Sequence, residues 1–128
     1  MSKNLQSLEI NCTKNTPDII ADVEKGELII SGNIINASVL EVFAPINEWI
    51  DLYLNAKIKV LKIILDIELF STSASLCITD LIIRLNKIYD QDKLIEFYWH
   101  YPADDEFLYE DGEDFQQLAK FPFSLVEK

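Results

Sequence analysis

The stretch "LDIELFSTSASLCITDLI", Leu65 to Ile82, decides the fold. Its first part closes the run "KIKVLKIILDIELF", Lys57 to Phe70, which is rich in β-branched residues and nearly continuous in apolar ones. Such a run is expected of a central strand covered on both faces. Its second part opens a helix from Ser73 to Tyr89, because Cys77, Ile78, Leu81, Ile82, Leu85 and Ile88 fall on one side while Thr79, Asp80, Arg84, Asn86 and Lys87 fall elsewhere. Ser71, Thr72, Ser73 and Ser75 crowd the junction. Small hydroxyls there can cap the helix, seat a phosphate, supply a nucleophile or accept a phosphoryl group. One hydroxyl suffices as a cap, worth about 1 kcal/mol. Four invite a second role, and the N–H groups and positive dipole end of a helix favour an added phosphate.

Working outward, "DIIADVEKGELIISGN" reads as a hairpin, with strands around Ile19 to Val23 and Leu28 to Ser31 joined by a turn at Gly26. "SVLEVFAPINEWIDLYLN" places Leu40, Phe43, Ile46 or Trp49, Ile50, Tyr53 and Leu54 at helical intervals, with Ser38 as N-cap and Glu41 three positions later. Pro45 is expected to kink this helix or to mark its first turn. "KLIEFYWHY" alternates Ile95, Phe97, Trp99 and Tyr101 against Glu96, Tyr98 and His100, a strand with one well-buried face. A final acidic helix is expected from about Asp104 to Ala119. The fold class is therefore α/β: one domain over residues 1–128, a mixed sheet with an N-terminal hairpin, then βαβα units with right-handed crossovers and three main helices.

Composition narrows the function. A chain of 128 residues is large enough to bury a core without disulfide staples. With 22 acidic and 11 basic side chains its formal charge is −11, which repels phosphate backbones and anionic lipid. Cys12 and Cys77 lie in no metal-ligand spacing and are read as reduced thiols. The N-terminal "MSKNLQSLEINCTK" has no apolar core, and no later segment supplies the ~18 uninterrupted apolar residues of a membrane span, so a cytoplasmic location is expected. Three glycines, Gly26, Gly32 and Gly112, make no phosphate-cradling loop, and no cofactor is expected.

Other candidate chemistry is weaker. His100, the only histidine, would have to serve any Ser/His/Asp triad, yet no nucleophile elbow accompanies it. The acids of "ADDEFLYEDGEDF", residues 103–115, lack the spacing of a calcium loop and read as a solvated helix face. Asp66 and Glu68, two apart on the central strand, should share a face near its C-terminal end, where they could act as acid and base or frame a docking surface.

The pattern from Leu65 to Ile82 resembles the strand-to-helix switch of STAS domains, the anti-sigma-factor-antagonist fold, although Ser75, Leu76 and Cys77 stand where those proteins usually carry a glycine. More closely, the chain resembles the SiaC family of bacterial regulatory phosphoproteins. "TPDIIADVEKGELIISG", "FAPINEWIDLYL", "FSTSAS", "FYWHYPADDE", "GEDF" and "FPFSLVE" carry the likeness in order along nearly the whole sequence. It implies a switch without catalytic activity. A SiaB-type kinase would phosphorylate Thr72, with Ser71 and Ser73 as alternative acceptors, and a SiaA-type metal-dependent phosphatase would reverse this. The unphosphorylated form would bind and activate a SiaD-type diguanylate cyclase, promoting biofilm formation or aggregation. Asp66, Glu68, Phe70, Ser71, Ser73 and Ser75 are the expected partner-binding residues. Two other readings stand beside it: a STAS anti-sigma-factor antagonist, and a small enzyme with Thr72 or Ser73 as nucleophile.

Overall fold

A computed structural model describes residues 5–35, 38–56, 60–90 and 94–128. The expected starts of the central strand and of the following strand, at residues 57–59 and at Lys93, and the side chain of Leu54 lie outside the described residues.

Six strands form one sheet in the sequential order β1-β2-β3-β4-β5-β6. β1 (Leu8–Ile10), β2 (Asp18–Asp22) and β3 (Glu27–Ile34) make the antiparallel edge. From β3 onward all pairs are parallel: β4 (Val60–Phe70), β5 (Leu94–Tyr101) and β6 (Phe123–Glu127). The crossovers are α1 (Val39–Asn55), α2 (Thr72–Tyr89) and α3 (Glu106–Leu118). Each advances to the next strand in the same direction, so right-handed connections put all three helices on one face.

That layering overturns one expectation. β4 is covered on one face, not both: Leu61, Ile63, Leu65 and Ile67 are buried, whereas Lys62, Ile64 and Asp66 on the other face stay partly exposed. The open face carries long side chains that cover each other, such as the Lys62 ammonium 5.1 Å over the Tyr98 ring and Lys128 paired with Asp66 at 2.7 Å. β6, unassigned from sequence, is the outer parallel strand, with Phe123 stacked on Phe97 at 4.5 Å between centroids.

The hairpin forms as expected, and its β3 strand runs on to Ile34. Gly26 has φ 64, and a Cβ there would lie 2.6 Å from the Val60 carbonyl oxygen, so only glycine fits where the hairpin meets β4. Pro45 lies inside α1, well past the first turn, and the helix is assigned continuously through it. Ser38 occupies the N-cap position without a side-chain bond to the helix. Gly112 has a packing role invisible in its sequence context. A Cβ on it would sit 2.5 Å from Trp99 Cδ1 and 2.8 Å from Leu125 Cδ2, so its absence lets α3 lie directly on the sheet. Trp99 Nε1 then donates to the Leu108 carbonyl at 3.0 Å.

Candidate functional site

The C-terminal ends of the parallel strands feed the N-termini of the helices, and the β4–α2 junction is built from both sides. Gly32 pairs with Ile67 and Asn33 with Leu69, so Glu68 is the extra residue of a bulge. A bulge redirects side chains and breaks strict alternation. Glu68 and Leu69 are both exposed, while Phe70 turns inward and packs edge-on against Trp99 at 5.9 Å and beside Phe115 at 6.3 Å. The expected single face for Asp66 and Glu68 is thus interrupted just where Glu68 falls. Asp66 itself is held by Lys128 on the open face of the sheet.

Ser71 is fully employed as N-cap. Its amide donates to the Ile34 carbonyl at 3.0 Å, its Oγ accepts from the Ala74 amide at 3.1 Å, and its carbonyl accepts from the Ser75 amide at 2.9 Å. Ser75 is half-buried, and its carbonyl accepts from Thr79 Oγ1 at 3.0 Å. Thr72 and Ser73 differ from both. They are the first two residues of α2, both exposed, and among the described residues neither hydroxyl has a hydrogen-bond partner. Of the four clustered hydroxyls, that of Ser71 therefore serves as the cap, while those of Thr72 and Ser73 face solvent at the positive end of an 18-residue helix.

The surface beside them is apolar. Thr72, Leu76, Asp80 and Ile83 follow one another at helical intervals on the outer face of α2, and Leu76 is 69% and Ile83 47% exposed. Sequence reading missed this stripe because it sought the buried face, where Ile78, Leu81, Ile82, Leu85 and Ile88 lie as expected, joined by Ala74, while Cys77 is half-buried at its edge. Two large aliphatic residues off that face were the available signal.

Other candidates separate. His100 stands on β5, half-buried and paired with Val126, and the described hydrogen bonds do not join it to Thr72 or Ser73. Cys12 and Cys77 are free thiols, and burial, followed by the nearby Asp80 carboxylate, pushes the Cys77 thiol up and keeps it protonated. Among the described residues no group of His, Cys, Asp and Glu is arranged to hold a metal ion, and no helix is long and apolar enough to cross a membrane. The acidic segment supplies Asp105 as N-cap of α3, its carboxylate accepting from the Leu108 amide at 2.9 Å.

A mixed six-stranded sheet with three helices on one face and exposed hydroxyls opening the helix after β4 defines a mixed α/β domain. The chain belongs to the SiaC family regulatory phosphoproteins, whose pattern matches residues 10–128. It is 25% identical over 121 residues to an uncharacterized protein of Pseudomonas aeruginosa strain UCBPP-PA14, covering 94% of this chain and 96% of that protein. Apo-SiaC from Pseudomonas aeruginosa superposes with a TM-score of 0.87 at 25% identity, over 94% of this chain and 98% of that one. The SiaC bound as activator to the diguanylate cyclase SiaD of that organism gives 0.90 at 25% identity, over 94% and 99%.

Proposed function

We propose that this chain is a phosphorylation-switched activator of a diguanylate cyclase. The unphosphorylated form binds the cyclase through the exposed face of α2. A SiaB-type kinase phosphorylates Thr72 and so releases the cyclase, and a SiaA-type phosphatase restores the binding form. The observation that carries this reading is the pairing of an unengaged Thr72 hydroxyl with exposed Leu76 on one face of α2. The family membership and the SiaC–SiaD complex support it.

The physical logic lies in asymmetric compensation. A phosphate adds about −1.5 to −2 charges at pH 7. Within the chain, the N-terminal amides of α2 offset that charge, so the fold tolerates it. A partner that packs apolar groups on Leu76 and the exposed start of the helix would have to desolvate a dianion. Ser71 is a poorer acceptor than Thr72, since its Oγ already accepts from the Ala74 amide.

Incubation with the kinase, Mg²⁺ and ATP should add one phosphate, mapped to Thr72 by peptide mass analysis. The Thr72→Ala variant should stay unmodified while still activating the cyclase. Equal modification of that variant would move the switch to Ser73 or elsewhere.

A further inference from the structure

Two residues before Thr72 the surface opens into a groove of about 290 Å³ between the end of β4 and the start of α3. Phe70 and Leu108 line it, and Leu69 and Phe107 stand at its edge. Leu69 is 58% and Phe107 82% exposed. Folding does not account for them. The β4 bulge sets Leu69 outward, and the second position of α3 could be filled by any helix former.

The rim has one sign. Glu68, Asp105 and Asp111 line the groove, and no lysine or arginine does so among the described residues. Burial, then the Asp114, Asp105 and Glu110 carboxylates, raise the Asp111 carboxyl above its usual range. Such a rim rejects a second copy of this chain, which would oppose acid to acid with −11 on each molecule. It equally rejects phosphate-bearing ligands. An open apolar floor within an acidic border complements an apolar side chain flanked by cations.

We propose that this groove receives an apolar anchor side chain of the diguanylate cyclase, flanked by lysine or arginine residues that pair with Glu68 and Asp111. This rests on the activator reading above and names the chemistry of the partner's half of the interface. It also fixes how phosphorylation acts. A partner that is basic here is not driven off by repulsion, so the phosphate must work by burial against apolar surface, an effect that salt does not screen.

The test is a titration of the purified cyclase with the unphosphorylated chain at about 50 mM and about 500 mM NaCl, where exposed charge pairs are weakly and strongly screened. Wild-type affinity should fall roughly tenfold at the higher salt, and the Glu68→Gln/Asp111→Asn pair should cut that fall to about threefold or less. Phe107→Ala should weaken binding roughly tenfold at both salts, as loss of an apolar anchor does. Asp105 is left alone because it caps α3, and melting temperatures confirm that the variants fold. Binding that strengthens with salt, or that is indifferent to both sets of substitutions, overturns the groove proposal and leaves the activator reading intact. Wild-type chain that fails to bind the cyclase at either salt overturns both.

Discussion

At the scale of single residues, the junction divides labour among chemically similar side chains. Ser71 and Thr72 are neighbours with the same functional group, yet one hydroxyl accepts from the Ala74 amide and the other faces solvent. Ser71→Ala should therefore cost about 1 kcal/mol in urea unfolding and remain a substrate for phosphorylation at Thr72. Gly112 makes the opposite point, that a missing side chain can be structural. Gly112→Ala gains up to about 1 kcal/mol of helix propensity but forces a methyl against Trp99 and Leu125, which typically costs ~1–3 kcal/mol, so the melting temperature should fall. Tyr53 is buried beside Trp49, its hydroxyl has no hydrogen-bond partner among the described residues, and burial pushes it up to about 12. Below pH ~10 both folded and unfolded states hold that proton, and stability is unaffected. Between ~10 and ~12 the unfolded chain ionises first, so stability falls, by roughly 2–3 kcal/mol over the window. Tyr53→Phe should lose this component of the alkaline fall while costing little at neutral pH, because it deletes an unsatisfied hydroxyl. Urea midpoints of both proteins at about pH 9 and about pH 11 test the sign.

Elements were legible where periodicity is strong. α2 buries the side its spacing assigned, and the hairpin closes at Gly26. Legibility failed where the cause is tertiary. An apolar run such as "VLKIILDI" reads as doubly buried, but Ile64 and its neighbours on the open face are shielded by one another and by long polar side chains. β6 escaped notice because five residues after a proline offer too short a pattern, and its pairing to β5 is what makes it a strand. The bulge at Glu68 has no local signature, since it appears only as a register difference against β3. Of the predicted partner residues, Glu68 and Ser73 are exposed, Phe70, Ser71 and Ser75 are half-buried, and Asp66 lies on the open sheet face beside Lys128. The exposed stripe of α2 has its own test. Leu76→Ser and Ile83→Ser should each change stability by no more than about 0.5 kcal/mol. Their combination should weaken cyclase binding by more than about tenfold if the stripe is the docking face. Unchanged affinity would place the interface elsewhere.

For the whole molecule, a −11 chain with a single packed sheet and a modifiable helix start is suited to be altered at its surface without being rebuilt. The core cluster joins residues from all three helices and from the sheet, while Thr72 stands outside it. Phosphorylation should therefore leave the far-UV circular dichroism and the cooperativity of melting unchanged. Its effect should appear only in association. The most direct measurement is calorimetric titration of the purified diguanylate cyclase with the unphosphorylated chain and with the chain phosphorylated on Thr72. The switch predicts that the phosphate weakens binding by roughly a hundredfold or more, about 3 kcal/mol, at unchanged fold. Equal dissociation constants for the two forms would contradict it.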